Sequence, residues 1–213
     1  MSIVQPAYLM FDLGNVLVHI HPEAFLQTLG IDTPENRRTY QKRVVEIVHH
    51  YERGQATTQE FLENLGDLFN TSDTGKPQPD RPSYSAEDLR RAMLSIIGQP
   101  IPGMQELVRA LSARVPIGLL SNTNPLHFDL CLDTLGVLQF IPAQFLSYRL
   151  KSLKPDAEIF LQVLRLLQLD PSEVLYIDDL HENVESARQT GFNAYQFVGY
   201  DELNDHLARY GLR

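Results

Sequence analysis

The run Tyr8-Leu9-Met10-Phe11 narrows the fold more than any other feature of the chain. Four apolar residues end abruptly at Asp12 and are followed by the turn-forming pair Gly14-Asn15, the signature of a buried strand. Two runs of the same kind lie far downstream, Ile117-Gly118-Leu119-Leu120 and Val174-Leu175-Tyr176-Ile177. A shorter apolar stretch falls at Phe145-Leu146, and residues 194–198 read as a last strand. Helical spacing of apolar residues separates them, over 105–114, 126–135, 156–167, 182–190 and 201–210. Repeated strand–helix units imply a parallel sheet covered by helices on both faces.

Between the first strand and the others the pattern is helical throughout. Residues 23–29, 34–51, 58–69 and 85–97 carry apolar positions three and four apart, with Thr58 and Ser85 as N-caps and Thr57 beside the first. The stretch 70–84, rich in Asp, Gly and Pro, reads as an exposed loop. The economical architecture is α/β: a Rossmann-like, doubly wound parallel sheet formed by residues 1–20 and 99–213, with an all-helical cap inserted at 21–98. A single domain with a long N-terminal helical layer is the plainer alternative.

Charge and cysteine usage exclude several functions. The chain carries a formal charge of −9, and its Lys and Arg residues are scattered, unlike a nucleic-acid surface. An acidic molecule repels phosphate ligands at long range; an anionic substrate therefore requires a local cation, either a metal or positioned lysines. No apolar run reaches the ~18 residues that cross a bilayer, and residues 1–6 carry neither a basic region nor an apolar signal core. The expected location is the cytoplasm, with no membrane partner. The one cysteine, Cys131, excludes an intrachain disulfide and reads as a small buried apolar residue. Oligomeric state, a homodimer included, is left open.

Ligands of open parallel sheets bind at the carboxyl ends of strands, near the point where strand order reverses. Asp12 follows the first strand, Ser121-Asn122-Thr123-Asn124 the second, and Asp178-Asp179 the strand over 174–177. Lys154 stands before a helix in Lys151-Ser152-Leu153-Lys154-Pro155-Asp156. Any one of these suits a cap or a turn. Together they occupy the places where such a sheet converges.

The motifs resemble those of the haloacid dehalogenase-like superfamily. Phe11-Asp12-Leu13-Gly14-Asn15-Val16-Leu17 is similar to its first motif, Leu120-Ser121-Asn122 to its second and Leu153-Lys154-Pro155-Asp156 to its third. Tyr176-Ile177-Asp178-Asp179, followed by Asn183 and Ala187-Arg188, resembles the fourth; Tyr51-Glu52-Arg53-Gly54 with Thr58-Gln59-Glu60-Phe61 resembles its cap. Receiver domains use comparable residues, but their acid pair lies on the first strand. Here the pair comes after the lysine.

The resemblance implies a phosphatase of small phosphomonoesters, sugar phosphates above all, in which Asp12 forms an aspartyl-phosphate. A carboxylate is ionised at neutral pH and needs no base to become a nucleophile. Mg2+, which prefers oxygen ligands, would be held by Asp12, the Gly14 carbonyl and Asp179 or Asp178, with Asp179 favoured. Ser121 and the Asn122 amide would hold phosphoryl oxygens, and Lys154 would offset negative charge. The alternatives are a dehalogenase, whose chemistry needs no magnesium and leaves both Asp178 and Asp179 unexplained, and a phosphate-binding regulatory protein without turnover.

One departure bears on mechanism. Phosphatases of this family usually carry a second aspartate, the general acid, two residues after the nucleophile; that position is Gly14. His19 and His21 follow, and histidine titrates near neutrality, but they read first as solvated linker residues. His49 and His50 read as cap-helix residues. If nothing replaces the missing acid, aryl phosphates should be hydrolysed about 10²–10⁴-fold faster than alkyl phosphates. Comparable rates in a steady-state assay would mean that another group protonates the leaving oxygen, with His19 the first suspect.

Overall fold

The computed structural model describes residues 5–71 and 82–212. Most of the loop expected at 70–84 lies outside the described residues. The first strand is β1 (Tyr8–Phe11), buried along its whole length, and β2 (Val18–Ile20) follows. Four helices come next: α1 (Ala24–Thr28), α2 (Pro34–Glu52), α3 (Thr58–Asn70) and α4 (Ala86–Leu94). After β3 (Ile97–Pro100) the chain alternates: α5 (Met104–Ser112), β4 (Ile117–Ser121), α6 (Pro125–Thr134), β5 (Ala143–Leu146), α7 (Ser147–Leu150) and α8 (Ala157–Leu167). It ends with β6 (Val174–Asp178), α9 (His181–Gln189), β7 (Asn193–Gln196) and α10 (Tyr200–Ala208).

Five strands form one parallel sheet in the order β5-β4-β1-β6-β7. The chain runs outward from β1 through β4 to β5, then crosses back to β6 on the other flank of β1. Loops leaving β1 and β6 therefore diverge, opening a crevice at their carboxyl ends. The two-residue alternation of strands sorts the apolar side chains onto both faces. Leu9, Phe11, Leu119 and Ile177 pack under α5, α6 and α10; Met10, Leu120 and Tyr176 pack under α8 and α9. This is the doubly wound core expected from the runs at 8–11, 117–120 and 174–177.

The inserted helices have an apolar core of their own, with Tyr51, Phe61, Phe69, Leu89 and Met93 buried together. The Tyr51 and Phe61 rings stack with centroids 4.3 Å apart. Ser85 caps α4 as expected. At α3 the cap is Thr57, not Thr58: its side chain accepts from the Glu60 amide while the Glu60 carboxylate accepts from the Thr57 amide. Thr58 instead lies one position inside the helix, where its hydroxyl meets that of Tyr51 at 2.7 Å.

The helix expected through residue 97 stops at Leu94. Gly98 and Pro100 are poor helix residues, and Ile97–Pro100 pairs antiparallel with Val18–Ile20 instead. The two chain crossings between sheet and helical insert thus run side by side as a short ribbon. No helix among the described residues is long and apolar enough to cross a membrane.

Candidate active site

Asp12, Lys154 and Asp178 meet at the sheet's carboxyl edge. The Lys154 Nζ lies 2.8 Å from Asp12 Oδ1 and 2.6 Å from Asp178 Oδ2, and donates to the Leu120 carbonyl at 3.1 Å. Its side chain is only 1% exposed. The second strand tip fixes the lysine: the Asn122 side chain donates to the Lys154 carbonyl and accepts from its amide, each at 2.8 Å. Asn122 is therefore a clamp on Lys154. The Asp12 Oδ1 also accepts from the Leu13 amide at 2.7 Å.

The two members of the acid pair differ sharply. Asp178 is fully buried and its oxygens are engaged, by the Leu180 amide at 2.8 Å, Asn183 Nδ2 at 3.0 and 3.1 Å, Lys154 and the Tyr176 hydroxyl. Asp179 is partly exposed and accepts from Asn15 Nδ2 at 3.2 Å. Asn15 holds a left-handed backbone at φ 51°, tolerated by Asn better than by most side chains. It also accepts from the Ile20 amide at 3.1 Å, tying the start of the insert to the acid pair.

One ammonium pairs with two of the three carboxylates, and with all three ionised the cluster would carry a surplus of two negative charges. Burial, with the Asp178 charge added, pushes the Asp12 carboxyl above its usual range against the pull of Lys154. Burial acts the same way on Asp178, but Lys154 and the hydrogen bonds from Tyr176 and Asn183 outweigh it and hold that carboxyl below its usual range. Asp179 is raised by burial and by the neighbouring Asp178 charge, despite Asn15. Lys154 is raised because Asp12 and Asp178 outweigh its desolvation.

A divalent cation would cancel that surplus. One carboxylate oxygen from each of Asp12, Asp178 and Asp179 lies within 4.8 Å of the others, an all-oxygen donor set suited to a hard ion. The Asn183 Oδ1 is buried and has no donor among the described residues, which suits a water carried by such an ion.

A cavity of about 560 Å³ opens from this cluster toward the helical insert. Asp12, Ser121, Lys154 and Asp179 line it from the sheet edge; Arg37, Tyr40 and Glu52 of α2 line it from the insert, with Lys154 close enough for its charge to act on Glu52. Ser121 is buried, and among the described residues its hydroxyl is engaged only by a long 3.4 Å contact to the Asn122 carbonyl. Gly14 lines the cavity too, and a Cβ there would meet Ile20 Cγ1 at 2.9 Å. An acid at position 14 would thus have to displace Ile20.

His19 and His21 are exposed, stack on each other with ring centroids 6.2 Å apart and do not line the cavity. Their solvated reading holds; His49 and His50 lie on α2, as expected of cap-helix residues, both exposed and His49 at the cavity wall. Cys131 is fully buried, its thiol pushed up to about 12 by burial. Sequence reasoning missed Tyr176 as a partner of Asp178, and quoted Glu52 only as part of a cap pattern. Burial pushes the Glu52 carboxyl up to about 7; the signal for it was an acid in a cap motif whose partner core motif lacked one.

A family model described as haloacid dehalogenase-like hydrolase matches residues 7–191. The chain belongs to that family. It is therefore an enzyme of the hydrolase class. It is similar to the D-ribitol-5-phosphate phosphatase of Bacteroides thetaiotaomicron, 25% identical over 88% of this chain and 90% of the relative. It is also similar to a chloroplast flavin mononucleotide hydrolase of Arabidopsis thaliana, 26% identical over 96% of this chain and 77% of the relative. Among solved structures, the magnesium complex of a haloacid dehalogenase family enzyme from Bacteroides thetaiotaomicron superimposes with a TM-score of 0.78 at 26% identity, covering 98% of this chain and 100% of the other.

Replacing Lys154 by alanine leaves buried carboxylates unpaired, at a cost of about 3–5 kcal/mol, read by urea unfolding at pH 7 without metal. The depressed Asp178 carboxyl contributes stability above its unfolded value near 3.9 and loses it as pH falls through the folded one. The gap between Lys154→Ala and wild type should accordingly narrow in acid. A gap that is constant with pH would contradict the pairing.

Proposed function

We propose that the protein is a magnesium-dependent phosphatase of small phosphomonoesters, with Asp12 as nucleophile. The observation that carries this reading is the Asp12 carboxylate at the tip of β1, beside Lys154 and the acid pair. Sugar phosphates and similar metabolites are the first substrate class to consider, given the relatives named for D-ribitol 5-phosphate and flavin mononucleotide. A cytoplasmic setting fits such substrates.

In this mechanism the substrate phosphoryl group sits between Asp12 and Ser121. Ser121 Oγ and the Asn122 amide hold non-bridging oxygens, while Lys154 offsets charge building between the carboxylate and the phosphoryl group. Asp12, the Gly14 carbonyl and Asp179 would hold magnesium, which supplies positive charge against the phosphoryl oxygens. Asp178, its oxygens already taken by protein donors, completes the site from behind by positioning Lys154 and Asn183. Asp12 attacks phosphorus in line with the leaving oxygen and becomes the aspartyl-phosphate; water then releases phosphate.

We further assign the catalytic core to residues 1–20 and 99–213 and the cap to 21–98. The β2–β3 ribbon contains both crossings, so it is the natural hinge for a cap that excludes water during the reaction.

A panel of phosphorylated metabolites, assayed for phosphate release with and without Mg2+, tests this reading. Asp12→Asn should lose turnover while retaining the wild-type circular dichroism spectrum, and EDTA should silence the wild type until Mg2+ is restored. Turnover at the wild-type rate in Asp12→Asn, or indifference to EDTA, would defeat the assignment.

A further inference from the structure

An alkyl phosphate releases a strongly basic alkoxide unless a proton arrives as the bond breaks. D-ribitol 5-phosphate and flavin mononucleotide, named for two relatives, are both esters of a primary alcohol. Gly14 brings no proton, and the space a side chain would need there is taken by Ile20. The donor must be sought among the other titratable groups on the cavity wall.

Most of these are committed elsewhere. Asp12, Asp179 and Lys154 belong to the phosphoryl end. Asp32 is locked to Arg37 through two hydrogen bonds, at 2.5 and 2.7 Å, which hold its carboxyl below the usual range. His127 is buried with both ring nitrogens engaged, one by Asn124 Nδ2 at 3.1 Å and one by the Met93 carbonyl at 2.9 Å. Glu23 is exposed beside His21, and His49 is exposed on α2. Among the carboxyl and imidazole groups of the wall Glu52 remains, with no hydrogen bond or ion pair among the described residues and Lys154 among the charges that act on it.

The turn that carries Glu52 is docked on the core around Lys154. The Gly54 carbonyl accepts from Lys151 Nζ at 2.7 Å, and the Arg53 guanidinium lies 3.5 Å from Asp156 Oδ2. Gly54 has φ 59°, and a Cβ there would collide with the Tyr148 carbonyl oxygen, so the backbone approaches as closely as only glycine allows. These contacts come from both sides of Lys154 in sequence, and they hold the end of α2 over the cavity.

We infer that Glu52 is the catalytic residue that protonates the leaving alcohol and then takes the proton of the attacking water; this rests on the phosphatase reading above. As the Asp12 oxygen bonds to phosphorus, the bond from phosphorus to the ester oxygen breaks, its electron pair stays on that oxygen, and the Glu52 proton passes to it. The alcohol leaves and Glu52 is a carboxylate. Water then attacks phosphorus and gives its proton to Glu52. The bond from phosphorus to Asp12 breaks with its electrons returning to the carboxylate, and inorganic phosphate departs. Burial, against the opposing charges of Lys154 and Arg53, keeps the carboxyl protonated up to about pH 7, in the range where an acid that is also a base works best.

Glu52→Gln keeps the size and removes the proton. With glycerol phosphate, its kcat should fall about 10²–10⁴-fold; kcat/KM of the wild type should decline on the alkaline side, and that decline should be absent from the variant. With p-nitrophenyl phosphate, whose leaving group needs no proton, first-turnover release of nitrophenolate in stopped flow should stay near the wild-type rate. Wild type itself should then show only a modest preference for the aryl ester. Equal losses of Glu52→Gln on both esters would overturn the assignment, as would no loss on either. A wild type that hydrolyses neither ester, nor any member of the metabolite panel, would instead defeat the phosphatase reading.

Discussion

A single ammonium group, Lys154 Nζ, lies between Asp12 and Asp178 at 2.8 and 2.6 Å, and the geometry of the site depends on it. Buried carboxylates without a partner cost several kcal/mol each; one lysine, itself almost wholly buried, holds two of them at adjacent strand tips. Its position is fixed from three directions: Asn122 clamps its backbone, the Leu120 carbonyl receives its ammonium, and Asp178 anchors it against Tyr176 and Asn183. The β1, β4 and β6 tips are thereby joined at one point. The arrangement remains under-neutralised; this residual negative charge favours a divalent cation, and an anionic phosphoryl group would need that cation beside Lys154.

The insert completes what the sheet leaves open. Its apolar cluster is distinct from the two on the sheet faces but takes in Leu126 of α6, so the helices pack together, rest on the core there and contribute one wall of the cavity. Contact with the core includes the β2–β3 ribbon, α6 through Leu126 in the apolar cluster and His127 against the Met93 carbonyl, and the turn after α2 on Tyr148, Lys151 and Asp156. A wall held this way brings the Glu52 carboxyl into the cavity that Asp12 also lines, without requiring that carboxyl to belong to the sheet.

Much of the core was legible because strand burial leaves a plain trace. Apolar runs of four residues marked β1, β4 and β6, and the polar residues following them marked the site. Less legible was any feature made by pairing across distance. The β2–β3 ribbon joins residues about eighty positions apart, and its second strand follows a helical pattern so closely that periodicity carried the helix past its end. Thr57 and Thr58 are equally good caps by residue type; only the backbone turn distinguishes them. Tyr176 read as one more apolar strand residue, since nothing local tells that its hydroxyl meets Asp178.

The sequence by itself determined the sheet, the order of its units and the residues at its strand tips, because burial patterns and turn chemistry act over a few neighbouring residues. The tertiary structure alone decided the unequal duties of Asp178 and Asp179, the filling of the space at Gly14 by Ile20 and the placing of Glu52 over the cavity. Each of these depends on which groups approach from remote parts of the chain, and in a poorly solvated site those approaches set charge, protonation and access.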